Sequence, residues 1–286
     1  GVTSIHEAGM TPKDVKAFIS LAESNSLPIR VYGMLDGNND ELMKHWFARG
    51  PLVDKSGFLD IRSIKVFYDG SLGSRTALME EPYSDQIGKS LATERISTKK
   101  ILQLGQKAAD KGFQMAVHAI GDKGNNQVLK LYEEILDTNG IFDHRWRIEH
   151  AQVLFPNFYS RAAELKVLAS MQSSHAVGDS KWAEDRIGSE RIQDAYAWQN
   201  ILKSGVRLLL NSDLPGEPWK PMETLYFAIN RKPLDSTKES KGWYMKQALT
   251  VEEALKAMTI ENAHGAFQEK KLGSIEINKL ADFIII

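Results

Sequence analysis

Residues 112–122, GFQMAVHAIGD, are the stretch from which the fold can be worked out. An apolar run typical of a buried strand, FQMAV, is followed by His118 and then by a Gly-Asp pair that turns the chain. A buried imidazole needs a hydrogen bond or a metal ion, so a histidine at the end of an apolar strand requires an explanation. One such residue decides nothing, and the ends of the other strands have to be compared with it.

Short apolar runs alternate with amphipathic stretches along the whole chain. The predicted strands are 2–5, 29–34, 61–67, 114–119, 145–148, 167–172 and 206–210. The predicted helices are 12–24, 98–111, 125–138, 157–165, 192–203, 222–231 and 251–259. Strict alternation of strands and helices predicts a parallel sheet covered by helices. A doubly wound open sheet is one alternative, but no Gly-x-Gly-x-x-Gly motif follows the first strand.

The favoured fold class is therefore α/β, a TIM (β/α)8-type barrel that lacks its first strand. Residues 1–270 are predicted to form this barrel, with its strands 2–8. Residues 271–286 are predicted to be the remnant of a small β-sandwich domain, with strands at 272–277 and 282–286 around a turn at Asn278 and Lys279. Both chain ends look cut, so we expect a longer parent protein.

Composition excludes several classes of protein. The chain has 286 residues, a formal net charge of −1 and no cysteine. Disulfides and thiolate metal sites are thus excluded, and His, Asp, Glu or a modified Lys must hold any metal. The charge balance argues against a nucleic-acid partner, and no apolar run approaches the ~20 residues that span a membrane. A small molecule is the expected partner.

Ionisable residues recur at the predicted carboxyl ends of consecutive strands. They are Lys65, Asp69, His118, Glu149, His150, His175 and Asp213. The carboxyl ends of barrel strands carry the chemistry of this fold. Two histidines and one aspartate could hold a divalent ion with open positions for water or substrate. The pattern favours metal-assisted hydrolysis, in which a carboxylate takes a proton from water and returns it to the leaving amine.

Alternatives exist for individual residues. Asp213 could be the cap of an Asx-turn. Lys65 could be an inward-facing lysine that pairs with Asp69, which lies two pleats further along the chain on the same face. Lys65 could also form a Schiff base in a metal-free lyase.

Seven motifs, in order, resemble the amidohydrolase superfamily, and within it the amidohydrolase-3 group with its N-substituted formamide deformylase-like metal-dependent hydrolases. They are GVTSIHEAG at 1–9, IKVFYDGSLGSRTA at 64–77, AVHAIGD at 116–122, RIEHAQ at 147–152, ASMQSSHAVGD at 169–179, LLNSDLP at 209–215 and LGSIEINKLADFIII at 272–286. The resemblance covers essentially the whole chain.

This resemblance implies hydrolysis of an amide-like or cyclic-amide C–N bond, outside peptides, with one or two divalent metal ions, zinc being expected. By position, His118 and His150 correspond to the metal ligands of the fifth and sixth strands. Asp213 corresponds to the aspartate of the eighth strand, which is both a ligand and the general acid/base. Lys65 corresponds to a carboxylated lysine that bridges two metals.

Four residues are assigned to substrate binding: Arg75, His175, Asp69 and Trp182. Arg75 could fork onto a substrate carboxylate or carbonyl, or it could tie its loop to Asp69 or Glu80.

One departure from the family pattern matters: the sequence has no His-x-His pair. The resemblance places that pair on the first strand, so this chain is expected to have an incomplete metal site and weak or no activity. An inactive truncated fragment, associating through its open edges into a homo-oligomer, is the alternative to a working hydrolase. The compartment, cytoplasmic or exported, and the substrate stay open.

Overall fold

The computed structural model describes residues 1–86, 88, 92–140 and 142–285. The strands are β1 Ser4–Met10, β2 Arg30–Asp36, β3 Leu52–Val53, β4 Leu59–Phe67, β5 Gln114–Ala119, β6 Arg147–His150, β7 Leu168–Gln172 and β8 Leu208–Asn211. The α-helices are α1 Pro12–Glu23, α2 Asp40–Arg49, α3 Thr98–Lys111, α4 Asp122–Asn139, α5 Phe158–Glu164, α6 Ser173–Asp179, α7 Ala183–Arg191, α8 Trp198–Lys203, α9 Pro221–Asn230, α10 Val251–Met258 and α11 Ile260–Gly265. Two 3-10 turns cover Ile192–Asp194 and Met245–Gln247.

Seven parallel strands form one sheet in the order in which they occur along the chain, β1-β2-β4-β5-β6-β7-β8, with β3 antiparallel to β4. Within the described ranges, no ladder joins β1 to β8. These two strands are therefore the free edges of the sheet.

The sheet is curved, as contacts across its face show. Arg147 on β6 lies 3.0 Å from His6 Nδ1 on β1 and 3.0 Å from the sulfur of Met34 on β2. Four strand spacings separate β1 from β6, and in a flat sheet they would hold these strands roughly 19 Å apart. The predicted α/β fold is thus confirmed as a parallel sheet that forms a partial barrel.

Helix α3 shows why the helices form where the sequence predicts them. Its N-cap, Ser97, accepts a hydrogen bond from the Lys100 backbone N–H, and it ends at Gly112 with φ +74°. The apolar stripe of the helix, which includes Ile101 and Leu104, is buried in the core between strands and helices. None of the helices in the described part of the chain is long and apolar enough to cross a membrane.

Some predicted boundaries are wrong. Strand β6 runs to His150 rather than ending at 148, so the strand itself contains Glu149 and His150. The predicted helix 192–203 is broken, because Ala195 forms a β-bridge with Val153 and Tyr196 has a φ of +50°.

The tail differs from the prediction as well. Residues 272–285 contain no strand, and Ile286 lies outside the described residues. The predicted turn near Asn278 is present, since the Lys279 N–H donates to the Glu276 carbonyl. A strand requires a partner for its backbone groups, and among the described residues the tail is joined to β2 by a side-chain ion pair, Asp282 to Arg30 at 2.6 Å. The assignment of 271–286 to a separate β-domain stays a prediction.

Candidate metal centre

Strand register places the polar strand-end residues on one face of the sheet. His118 pairs with Glu149, and Glu149 pairs with Ser170. Gln172 and Asn211 are partners on β7 and β8. Glu149 lies two residues beyond Arg147, which crosses the concave side to β1, and the two form an ion pair of 2.6 Å. Residues two apart share a face, so these side chains line the inside of the partial barrel.

The backbone at the end of β6 departs from strand geometry. Alternation would send His150 to the outer face of the sheet, since Glu149 points inward. However, His150 has a φ of +77° and Ala151 a φ of +42°, both in the left-handed region. Asp213, beyond β8, has a φ of +57°. Such conformations cost about 1–3 kcal/mol each in non-glycine residues and cluster at functional sites. Here they accompany a His150 ring whose centroid lies 4.4 Å from that of His118.

His150, His175 and Asp213 form a group that could hold a metal ion, because one ligand atom of each lies within 4.8 Å of the others. The rings of His150 and His175 stack with centroids 5.6 Å apart. His175 Nε2 lies 3.5 Å from Asp213 Oδ2 and 3.7 Å from Glu217 Oε1. Two imidazoles and one carboxylate suit zinc and other first-row divalent ions. His175, predicted to bind substrate, therefore lies among candidate ligands.

His118 lies beside this group, and one of its nitrogens is spare. Its Nε2 is 3.0 Å from the Gly70 carbonyl and donates to it, since a carbonyl can only accept. Nδ1 then carries the lone pair, and it is buried without a hydrogen-bond partner. A metal ligand with its other nitrogen hydrogen-bonded to a backbone carbonyl has this arrangement. The residues present thus fit a divalent ion.

The pKa values of His118, His150 and Asp213 favour the protonation states in which these side chains can bind a metal ion. Burial, with Lys65 and His175 nearby, lowers the pKa of His150 to about 3. Burial and the neighbouring His150 hold the pKa of His118 well below its ordinary value. The hydrogen bond from His175 lowers the pKa of Asp213 to about 2, although partial burial opposes this. At neutral pH His118 and His150 are therefore neutral imidazoles and Asp213 is a carboxylate, which are the forms that bind metal.

Two opposing effects act on the pKa of His175. Burial lowers it, while the hydrogen bond and charge of Asp213, together with Glu217, raise it by more. The net pKa is raised. His175 is thus the imidazole of the group that most readily carries a proton while no metal is bound.

Lys65 lies on β4 with a side chain that is almost fully buried. Its Nζ is 3.9 Å from the centre of the Phe67 ring. Burial lowers the pKa of Lys65 to about 8, against the opposite effect of Glu149 and Asp213. The alternative pairing of Lys65 with Asp69 is not what the structure shows: among the described residues no ion pair joins the two, and the acids whose charges act on Lys65 are Glu149 and Asp213.

Asp69 is buried with 0% exposure and accepts three backbone hydrogen bonds. The donors are the N–H groups of Leu78 at 2.9 Å, Ile120 at 3.0 Å and Gly121 at 2.9 Å. This position holds two loops together and differs from the substrate-facing position predicted for Asp69. The sequence could not reveal it, because the loop from 70 to 78 folds back over the residue.

Arg75 and Trp182 also lie in a bracing arrangement. Arg75 donates to both carboxylate oxygens of Asp85, at 3.0 and 2.8 Å, and Arg186 donates to the same carboxylate at 2.7 Å. Trp182 lies under Arg186, whose guanidinium carbon is 4.9 Å from the ring centre. The bracing alternative for Arg75 therefore fits the contacts, with Asp85 in place of Asp69 or Glu80 as the partner.

The sequence reasoning missed Gln172, Asn211 and Glu217. Gln172 Oε1 lies 2.9 Å from His150 Nδ1, and Asn211 is bonded to Gln172. Both amides stand at strand ends in the motifs quoted above, MQSSH and LLNSD. Amides are poor zinc ligands, so a search for ligating side chains does not select them, although their strand-end position is a usable signal.

Comparison with known proteins agrees with this description. A model of the amidohydrolase family matches residues 1–286. Protein LONG AFTER FAR-RED 3 of Arabidopsis thaliana is 37% identical over 81% of this chain and 39% of its own length. YtcJ of Bacillus subtilis (strain 168), which carries a provisional name as an amidohydrolase, is 32% identical over 95% of this chain and 50% of its own.

A solved structure has the same architecture. An uncharacterized metal-dependent hydrolase from Pyrococcus furiosus superimposes with a TM-score of 0.85 at 31% identity, covering 99% of this chain and 56% of that one. The chain thus spans about half the length of the relatives that it matches.

Proposed function

The chain belongs to the amidohydrolase family, and we propose that it forms the metal-binding and catalytic part of a hydrolase that cleaves an amide-like or cyclic-amide C–N bond. The observation that carries this proposal is the group of His150, His175 and Asp213, beside the spare nitrogen of His118. A divalent ion bound there, with zinc the expected one, would supply an activated water and polarise the substrate carbonyl.

Asp213 is proposed to be the general acid/base. Its pKa of about 2 keeps it ionised at neutral pH, so it can accept a proton from the attacking water and deliver it to the leaving amine. While no metal is bound, His175 Nε2, 3.5 Å from Asp213 Oδ2, would orient the Asp213 carboxylate. The left-handed backbone at Asp213 sets the direction in which its side chain leaves the main chain.

Lys65 is proposed as a carboxylated ligand of a second metal position, together with His118. A carbamate on Lys65 would add a negative charge near Glu149 and Asp213, the two acids whose charges already act on Lys65. Carboxylation should therefore depend on bound cations. Carbon-13 NMR after incubation with labelled bicarbonate, with and without zinc, should show a carbamate signal only when zinc is present.

The test of the function is amine release from a panel of N-acyl and cyclic amides by the zinc-loaded chain. We expect release that Asp213→Asn abolishes. Zinc binding without amine release from the panel would instead support the inactive-fragment alternative, which the absence of a His-x-His pair in this sequence motivates.

A Schiff-base lyase is the second candidate, because a buried lysine with a pKa of about 8 is a competent nucleophile. Borohydride with a carbonyl substrate would trap a covalent adduct on Lys65 only if this candidate is right.

A further inference from the structure

We propose that Gln172 is a positioning residue that fixes the tautomer of His150, and that Asn211 and the Ser170 carbonyl together fix the orientation of the Gln172 amide. The inference rests on the proposed function only in taking His150 as a metal ligand. The hydrogen-bond chain itself involves only groups of the protein.

Three contacts join these residues in series. His150 Nδ1 lies 2.9 Å from Gln172 Oε1. Gln172 Nε2 donates to Asn211 Oδ1 at 3.0 Å. Asn211 Nδ2 donates to the Ser170 hydroxyl at 3.1 Å.

The chain of amides has a direction. A side-chain amide has one accepting end and one donating end. A flipped Gln172 would place its NH₂ against the imidazole and its oxygen against the oxygen of Asn211, so the bond to Asn211 would be lost. The Ser170 hydroxyl can donate as well as accept, so it does not set this direction by itself. The Ser170 carbonyl can only accept, and it lies 3.4 Å from Gln172 Nε2, so Gln172 must present its oxygen to His150. His150 then has to carry its proton on Nδ1.

This tautomer leaves the lone pair on Nε2, the other ring nitrogen of His150. A metal-ligating histidine commonly donates its second ring N–H to an acceptor that fixes both tautomer and ring orientation. A free imidazole would exchange between two tautomers, and only one of them has its lone pair on Nε2.

Burial and register make the arrangement rigid. Ser170, Gln172 and His150 are 3%, 4% and 8% exposed, so water is a poor substitute for the missing acceptor. Gln172 and Asn211 are paired residues on adjacent parallel strands, and Ser170 lies two residues from Gln172 on the same face. The positioning groups therefore stand on the sheet and not on a loop.

The decisive experiment is nitrogen-15 NMR of the metal-free chain with labelled histidine, followed by zinc titration in a calorimeter. For the wild-type chain we expect a His150 spectrum with Nδ1 protonated and Nε2 unprotonated. Gln172→Met keeps the volume and removes the acceptor, so the His150 spectrum should become a mixture of tautomers. Its zinc dissociation constant should rise about 10- to 100-fold, the usual effect of removing such a partner.

Two further variants separate positioning from packing. Gln172→Glu restores an acceptor for Nδ1–H and should recover both the single tautomer and most of the zinc affinity. Gln114→Met is the matched control, because Gln114 is also a buried glutamine on the sheet but donates to the carbonyls of Arg145 and Gly265. It should lower stability while leaving the His150 tautomer and zinc affinity unchanged.

A His150 tautomer that is unchanged in Gln172→Met would overturn the proposal, whatever happens to zinc. A tautomer change without a change in zinc affinity would overturn the claim that the tautomer matters for metal binding. An equal loss of zinc affinity in Gln114→Met would overturn the same claim. If the wild-type chain binds no zinc and the tautomer still changes in Gln172→Met, the positioning role stands and the proposed function fails.

Discussion

Two clusters of ionisable residues in this chain include residues at or just beyond strand ends, and the clusters differ in what their polar atoms do. The strand-end cluster consists of His118, His150, His175 and Asp213. The brace cluster consists of Asp69, Arg75, Asp85 and Arg186. Both clusters contain residues that the sequence nominates for function.

In the brace cluster the carboxylates are occupied by partners within the chain. Asp69 takes three backbone N–H groups, and Asp85 takes two arginines. In the strand-end cluster His118 Nδ1 has no hydrogen-bond partner, and the tautomer proposed for His150 leaves its Nε2 available. The comparison teaches that spare ligating atoms, more than charge or position near a strand end, distinguish a site from a brace.

The largest expected effect is the loss of metal. Replacing both His118 and His150 by Ala should lower zinc affinity by about three orders of magnitude, because two nitrogen ligands are removed. Elemental analysis of the purified proteins and calorimetric titration measure this.

His144→Gln is the control for that variant. His144 is a buried histidine, but both of its nitrogens are engaged, with the Leu165 carbonyl and the Trp146 N–H. It should leave zinc content unchanged. Zinc retained by the double variant would contradict the strand-end cluster as the metal site.

Replacing Asp69 by Ala should destabilise the fold by about 3–9 kcal/mol, since three buried N–H groups lose their acceptor at about 1–3 kcal/mol each. Urea unfolding followed by circular dichroism measures the change. Asp69→Asn keeps one accepting oxygen and should lose less. A loss below about 1 kcal/mol for Asp69→Ala would remove Asp69 from the brace cluster.

The third prediction concerns acid stability. Between about pH 6.5 and 3 the unfolded chain protonates His150 and the folded chain does not, because the folded pKa is about 3. The free energy of unfolding should therefore fall as the pH falls through this window, by roughly 1.4 kcal/mol per pH unit from His150 alone. His118 and His6, whose pKa values are also lowered, add to the same slope.

His150→Gln should flatten that slope, as urea titrations of the metal-free chain at several pH values would show. His175 acts in the opposite sense. Its raised pKa gives stability that is complete below pH 6.5 and is lost as the pH rises through the raised value. An unchanged slope in His150→Gln would mean that this imidazole is charged in the folded chain.

The smallest effect is expected for Arg75→Met. The ion pair between Arg75 and Asp85 is at the surface, and Arg186 still holds Asp85 when Arg75 is removed. The urea midpoint should move only slightly, and zinc affinity should stay the same. Arg186→Met, which also removes bonds to the carbonyls of Leu72 and Gly73, should move the midpoint further. A marked rise in KM for Arg75→Met in an active preparation would instead return Arg75 to the substrate pocket.

The sequence predicted the order and direction of the parallel strands. The periodicity of apolar residues and the turn-forming residues between elements are local signals, and they can be read directly from the sequence. It also identified His118, His150 and Asp213, which stand at strand ends. The sequence analysis assigned His175 to substrate binding. His175 lies in α6, directly after β7, and tertiary packing determines where that helix begins, so the sequence does not show how close His175 comes to the other ligands. Likewise, the periodicity of hydrophobic residues does not reveal the left-handed backbone at His150. This backbone conformation accompanies the position of His150 in the site.

The brace cluster was harder to predict, since its bonds link residues far apart in the chain. Asp69 meets Ile120 across 51 residues and Arg186 meets Asp85 across 101. No local pattern encodes such pairs, so Asp69 and Arg75 could be nominated for function from sequence while the structure uses them as supports.

The strand order has a consequence for biosynthesis. Each parallel strand pairs with the parallel strand that precedes it in the chain, so the sheet can extend as the polypeptide leaves the ribosome. The contact between Arg147 and His6 spans 141 residues and cannot form until β6 has been translated. Curvature is therefore imposed late in synthesis, and the concave pocket that gathers the strand-end cluster is completed only after β8 has emerged.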